Sequence, residues 1–443
     1  MTTRSGVAPD GVVVTGLGVV CPTGADVDGF AAALRAGVSG IGLRPATVDG
    51  EAPGMRPRLV ADLRGFDLPG RLAGLPQLPE TTRRAAARVA GRSPLAIQAG
   101  VAAAVESWLA AGLHRAELPG ERVGIVVAGH NLTGALAERA RAGYQASPAH
   151  LPGRFALWYL DTDHVGSISQ ILGITGEGYT VGGASASGNV AIINAARLVA
   201  GGELDACLVV GALTALSAME AQAFHNLGAM AGAAGADGPQ QRCRPFDTRR
   251  EGFVPGEAAG CLVLESAGSA ARRGAEPLAR VAGYAARLAG TSLPEPDLRG
   301  EVGVMTEALR RAELIPAEVD YVNAHGTGSP LGDDVEAAAL RAVFGPDRPG
   351  PWINSTKALI GHCLCAAGVV EAIAAVVQMR GGFVHANPNL DESIAPDLRL
   401  VGRRAEPAEV RVAVSNGFGF GGFNTSVVLT STTGRGRPSA ARR

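Results

Sequence analysis

Short apolar, β-branched runs alternate with Ala-rich stretches of helical periodicity along the whole chain, and this pattern leaves few folds open. The runs lie at 12–15, 123–127, 206–210, 260–264, 319–323, 410–415 and 425–429. Between them, 101–111, 190–200, 336–343 and 368–379 repeat apolar residues at helical spacing with few breakers. Strands that are apolar on both faces and separated by helices predict an α/β fold whose sheet is covered on both sides. With 443 residues, the chain is long enough for two or three ordinary domains or for one large fold of two related halves. A weak internal echo favours two halves. Segments 180–188 and 353–361 each run from a strand through a tight small-residue turn to a helix opening on glycine. A polar break at 272–276 lies near the division, and the expected halves are 1–265 and 266–431. The Pro/Gly/Arg-rich segment 43–80 predicts loops and short helices over the core, and the small, basic tail 432–443 predicts disorder.

Charge excludes some function classes. Forty basic against 41 acidic residues leave a net charge of −1, which gives no support for a nucleic-acid or membrane-surface role. No apolar stretch of membrane-spanning length is free of charge, the nearest, at 97–113, containing Glu106. The N-terminus has no secretory-type apolar region, and the six cysteines show no paired metal spacing, Cys363 and Cys365 being too close for a C-x-x-C site. A reduced, cytoplasmic enzyme without a metal is the expectation. Of the forty basic residues only Lys357 is a lysine, in a chain whose Arg, Ala and Gly usage marks a coding bias. A position that kept an ammonium against that bias points to a need for a compact charge with rotatable donors, although chance survival of a surface lysine gives the same count.

Four segments carry groups capable of chemistry. In TVGGASASGNVAIINAARL, Ser185 falls on a sharp strand-to-helix turn, where a nucleophile or an oxyanion meets free N–H groups; an ordinary Ser/Gly helix cap reads the same way. VNAHGTGSPLGDDVEAAAL places His325 just past a strand, with Thr327 and Ser329 as hydroxyl donors and Asp333 and Glu336 on the following helix turn, there to orient a cation or cap the helix. NSTKALIGHCLCAAGVVEAI holds Lys357, His362 at a helix start, and Glu371. A helix N-terminus biases an imidazole toward its neutral form, which donates one hydrogen bond to a developing oxyanion. SNGFGFGGFNTSVVL is a Gly-rich turn between strands, able to lend an N–H and to swing Phe420 as a gate.

Taken in order, the small-turn nucleophile, H-G-T-G, K-x4-H and G-F-G-F-G-G-x-N resemble the β-ketoacyl-ACP synthases of the thiolase fold. The resemblance runs from VVVTGLGVVCPTG through CRPFDTRREGFVPGEAAG to the last strand, nearly the whole chain. It implies a five-layer αβαβα fold of two similar halves, a dimer (a homodimer by expectation), and a substrate carried on the phosphopantetheine arm of acyl carrier protein (ACP), with no other cofactor. It further implies that His325 and His362 are the catalytic imidazoles, Lys357 a catalytic-site lysine paired with Glu371, Phe420 the gate, and Thr327 and Ser329 the pantetheine contacts.

One departure matters chemically. Condensing members carry Cys where this chain has Ser185, and no cysteine is near it in sequence. A thiol of pKa about 8.5 yields a thiolate near neutrality, whereas a serine hydroxyl needs a general base. If both imidazoles face the thioester oxygen, neither serves, and acylation fails while decarboxylation of a malonyl thioester survives. The segment DTDHVGSISQILGITGEGYTVGGASASGNVAI resembles the decarboxylating Ser-for-Cys ketosynthases of polyketide β-branching cassettes, which make acetyl-ACP from malonyl-ACP for an HMG-CoA-synthase-like partner. Phe423 stands where the family often has Thr and would narrow the pocket toward a short acyl group. Two other readings remain: a chain-length-factor-like subunit paired with an active ketosynthase, and an acyltransferase using Ser185 as a true nucleophile. The arginines at 83, 84, 88 and 92 form either a carrier-protein docking face or a solvated helix surface.

Overall fold

The computed structural model describes residues 11–44, 58–233, 237–345 and 350–432. Ten strands form its main sheet: β1 Val12–Val20, β2 Val123–Ala128, β3 Gly178–Val181, β4 Ala206–Gly211, β5 Ala259–Ser266, β6 Ala279–Leu288, β7 Tyr321–Asn323, β8 Trp352–Asn354, β9 Val412–Gly419 and β10 Phe423–Thr430. Their spatial order is β8-β7-β9-β10-β6-β1-β5-β4-β2-β3. From the centre outward, β1-β5-β4 pair antiparallel and β4-β2-β3 parallel, while β6-β10-β9 pair antiparallel and β9-β7-β8 parallel. The same five-strand pattern thus occurs twice, and the copies meet through three antiparallel residue pairs between β1 and β6, from Val12↔Val281 to Val14↔Ala279.

Five helices complete the layers: α1 Leu95–Ala110, α2 Ser187–Ala200, α3 Leu298–Arg311, α4 Pro330–Phe344 and α5 Ala367–Gly381. α1 covers the outer face of β1 and β5, and α3 packs on β6 and β10 with α4 beside it. α2 and α5 each touch strands of both halves and lie between them, giving the five-layer αβαβα arrangement of the thiolase-like fold. Sandwiched this way, α5 has almost no solvent face and is apolar nearly all round: every residue from Ala367 to Met379 is buried, whereas α2 leaves Arg197 exposed. That also explains why 364–381 is long and apolar enough to cross a membrane: it is a core helix, 89% buried. Strands β1, β2 and β4 are likewise buried along their whole length.

All seven expected strands and all four expected helices are present, mostly longer than their apolar runs. The segment 43–80 holds short strands at Gly42–Arg44 and Arg58–Val60, the helix Leu68–Ala73 and the start of the helix Glu80–Ala90; its residues 45–57 lie outside the described residues, as do tail residues 433–443.

Candidate active site

The central helices cross at their N-termini, and glycine makes the crossing possible. A Cβ on Gly188 would stand 2.6 Å from the backbone N of Val369, and one on Gly368 would stand 2.6 Å from the N of Asn189. Contacts this close to backbone exclude any side chain, so the two turns that precede α2 and α5 are drawn together. Both turns have the same form. Ala184 and Leu364 each take φ of 49°, a left-handed conformation costly for a residue with a Cβ; each opens a 3₁₀ turn, Ala184–Ala186 and Leu364–Ala366, that leads into its helix. The echo between the halves is therefore geometric as well as textual.

Ser185 and His362 meet in this junction. His362 Nε2 lies 2.8 Å from Ser185 Oγ, and His362 Nδ1 accepts the Leu364 N–H at 3.2 Å. An Nδ1 that accepts leaves the ring proton on Nε2. His362 consequently donates to Ser185 and has no lone pair facing it. The ring of His325 lies edge-on to that of His362 at 5.6 Å between centroids, and Phe253 packs on His362 from another side at 5.3 Å. Burial lowers the pKa of both histidines well below the usual imidazole value, and the positive charge of Lys357 adds to the shift; for His325 the neighbouring His362 contributes as well. Two neutral imidazoles are the result.

Lys357 is 1% exposed and forms an ion pair with Glu371, itself buried in α5. A buried ion pair is expensive to form and more expensive to break, which makes it a poor place for random drift. The surface-lysine alternative fails on this burial. Asp333 and Glu336 do something other than expected. Neither caps α4, although the charge of Lys357 acts on Glu336 and that of Arg250 on Asp333. Glu336 accepts the N–H groups of His325 at 2.8 Å and Gly326 at 2.7 Å, while Asp333 accepts those of Phe246 at 2.7 Å and Gly328 at 3.1 Å. Backbone amides, being fixed in direction, are the stronger claim on a buried carboxylate, and the two acids hold the H-G-T-G loop in place. Burial pushes Asp333 up to about 7 despite those bonds.

A cavity of about 600 Å³ opens over this junction, bordered by Ser185, His325, His362, Thr327, Ser329 and Phe420. Thr327 Oγ1 and Ser329 Oγ lie 3.0 Å apart on one wall. Phe420, 40% exposed, sits on the turn between β9 and β10 with its ring 6.2 Å from Phe224. That turn rests on the Ser185 turn: a Cβ on Gly419 would lie 2.4 Å from the carbonyl O of Gly183. Phe423 borders the same cavity beside Gly183, so its bulk does fall near the reacting position. The arginine-rich helix is divided. Arg83 is tied to the carbonyls of Leu72 and Leu75, Arg84 pairs with Glu80 at 2.8 Å, and Arg88 and Arg92 face solvent.

Among the cavity residues that the sequence reading did not single out are three with reactive or titratable groups close to the junction or to the wall of Thr327 and Ser329. His130, just past β2, accepts the Ala184 N–H at 3.2 Å; Glu301 projects from the first turn of α3; and Cys365 borders the cavity from the turn opposite Ser185. No cysteine is near Ser185 along the chain, yet Cys365 borders the same cavity in space. Its Sγ is directed at the His130 carbonyl rather than at either imidazole. A strand end followed by Gly-His-Asn was the available signal for His130; nothing local marked the other two. All six cysteines are free and buried.

The fold defines the class, a thiolase-like α/β enzyme. Models of the β-ketoacyl synthase N-terminal domain and C-terminal domain match residues 10–270 and 278–391. The chain belongs to the β-ketoacyl synthase family. It is 37% identical, over 94% of its own length and 96% of the relative's, to the polyketide biosynthesis malonyl-ACP decarboxylase PksF of Bacillus subtilis. It is 30% identical, over 95% and 98%, to 3-oxoacyl-[acyl-carrier-protein] synthase 2 of Coxiella burnetii. Among solved structures, the ishigamide ketosynthase/chain length factor matches with a TM-score of 0.80 at 30% identity, over 96% of this chain and 100% of the other. A β-ketoacyl synthase from Burkholderia phymatum matches with 0.81 at 27% over the same shares.

Proposed function

We propose that this protein decarboxylates malonyl-ACP to acetyl-ACP and does not condense acyl chains. The observation that carries the reading is the His362 geometry: its Nδ1 is occupied by the Leu364 N–H, so its Nε2 bears a proton and faces Ser185 as a donor. A donor does not accept the serine proton, and Ser185 is left without activation by the imidazole nearest to it. The same N–H suits a thioester oxygen. With the malonyl thioester seated between His362 and His325, the bond from the carboxylate carbon to Cα breaks, CO2 leaves, and the electron pair passes through Cα to the thioester oxygen, where the imidazoles stabilise it. A proton taken up at Cα completes acetyl-ACP. The low pKa values of both imidazoles keep them as neutral donors, and Lys357, held by Glu371, helps to keep them so.

The malonyl-ACP decarboxylase relative at 37% identity supports the same reading. Retention of His325 and His362 in one cavity, with Lys357 buried behind them on Glu371, favours a working enzyme over a chain-length-factor-like partner, and the His362 tautomer disfavours a Ser185 acyltransferase. In this reading the carrier arm lies along Thr327 and Ser329, Phe420 gates the cavity, and no metal or further cofactor is used. The protein acts in the cytoplasm as a homodimer, a state supported by the exposed apolar residues Tyr144, Leu157, Tyr159 and Leu160. Its product serves an HMG-CoA-synthase-like enzyme in polyketide β-branching. Intact-mass analysis of malonyl-ACP incubated with the enzyme tests the reading. Acetyl-ACP should form, and His325→Ala should abolish it; unchanged malonyl-ACP with the wild-type protein would defeat the proposal.

A further inference from the structure

One cavity group has no place in the chemistry above. Glu301 stands on the first turn of α3, is 1% exposed, and borders the cavity that holds the histidine pair. Its Oε2 is buried with no hydrogen-bond partner. Buried polar atoms are almost always satisfied, so an unsatisfied one beside a substrate cavity is better explained by a ligand than by folding. We propose that Glu301 is a further substrate-binding residue, donating a hydrogen bond to an amide carbonyl of the pantetheine arm. This rests on the reading of the cavity as the seat of carrier-bound malonate.

The surroundings select that acceptor. Burial first, then the negative charge of Glu336, Asp297 and Asp333, pushes the Glu301 carboxyl up to about 10, so it holds its proton at neutral pH and presents an O–H. The same three acids repel an anion, so the malonyl carboxylate is excluded from this spot. The thioester oxygen is engaged by the imidazoles. What remains on the substrate are the neutral amide carbonyls of the arm. Position agrees: Glu301 comes from α3, which packs against α4, and Thr327 and Ser329 lie immediately before α4. The neighbouring Gly300 lies against Asn424, another residue of the cavity wall.

Steady-state kinetics on malonyl-pantetheine, and on a malonyl thioester of a simple alkanethiol that has no amide, separate this role from a structural one. The variants are Glu301→Leu, which removes the polar group at similar volume, and Glu301→Gln, which keeps a neutral donor. Glu301→Leu should raise KM for malonyl-pantetheine roughly 3–10-fold, the loss of one hydrogen bond, with kcat unchanged. Glu301→Gln should restore most of that KM, and both variants should equal the wild type on the amide-free thioester. An unchanged KM in Glu301→Leu, or an equal rise on both substrates, overturns the assignment. If the wild-type protein itself leaves both malonyl thioesters intact, it is the decarboxylase reading that fails. Because Glu301→Leu removes a buried orphan, it should melt no lower than the wild type; a lower melting temperature together with a lowered kcat would make Glu301 structural.

Discussion

Gly368→Ala tests the connection between the helix crossing and the chemistry. The new Cβ would stand 2.6 Å from both the backbone N and the Oδ1 of Asn189, and 3.1 Å from the carbonyl carbon of Gly188. Backbone on a buried helix does not step aside as a side-chain tip does. Restoring an ordinary contact of about 3.5 Å requires α2 and α5 to part by roughly 1 Å. Overpacking of this kind costs about 1–3 kcal/mol of stability. The functional effect should be larger, because the parting acts where the turns that carry Ser185 and His362, now 2.8 Å apart, enter these helices. A misplacement of about 1 Å costs on the order of 10²-fold in rate. Thermal unfolding and turnover of malonyl-ACP measure the two effects, with Gly143→Ala as the control, since nothing lies within 4 Å of a Cβ there. The control should be neutral or slightly stabilising. Gly368→Ala with unchanged melting and unchanged turnover would refute the reasoning.

Other substitutions probe separate parts of the account. Ser185→Cys should gain a covalent acyl adduct detectable by enzyme mass, because a thiolate needs no base where an alcohol does. Lys357→Met should destabilise the protein by about 3–5 kcal/mol by leaving Glu371 charged and alone, whereas Lys357→Met with Glu371→Leu should recover most of it in a denaturant titration. As the sole lysine, 1% exposed, Lys357 should also resist amine-directed labelling until the chain unfolds. Stability should depend on pH through Glu301. Its folded pKa of about 10 lies above the unfolded value near 4.3, so between those limits the folded chain holds a proton that the unfolded chain has released. This contribution is complete below the unfolded value and falls by up to about 1.4 kcal/mol per pH unit as pH rises through the window. Glu301→Gln should flatten that slope in unfolding curves taken from pH 5 to 8.

Local signals were legible in the sequence and spatial ones were not. Each of the four chemical segments is a strand-to-helix or strand-to-strand turn whose glycines and polar residues stand out from an apolar background, and all four meet in one cavity. The solitary lysine was readable because composition made it conspicuous. β6 was not, since ARVAGYAARL has no β-branched run and is kept as a strand by pairing with both β1 and β10. Tertiary pairing there outweighs intrinsic preference. α3 was hidden for a related reason: its start follows a Pro-rich polar segment, and its apolar stripe is interrupted by charged residues. The roles of Asp333 and Glu336 depended on where the loop amides point, which spacing does not encode. His130, Cys365 and Glu301 reach the cavity from three distant segments, and only the folded chain brings them together. Least readable of all was the tautomer of His362, which is set by a backbone N–H two residues away and decides what Ser185 does.

The most direct test of the central claim is to follow the masses of carrier and enzyme together during turnover, with malonyl-ACP and a long-chain acyl-ACP both present. The account predicts that malonyl-ACP becomes acetyl-ACP by loss of CO2 while the enzyme stays unmodified and no β-ketoacyl-ACP appears. An acyl adduct on Ser185, or a β-ketoacyl product, would contradict it.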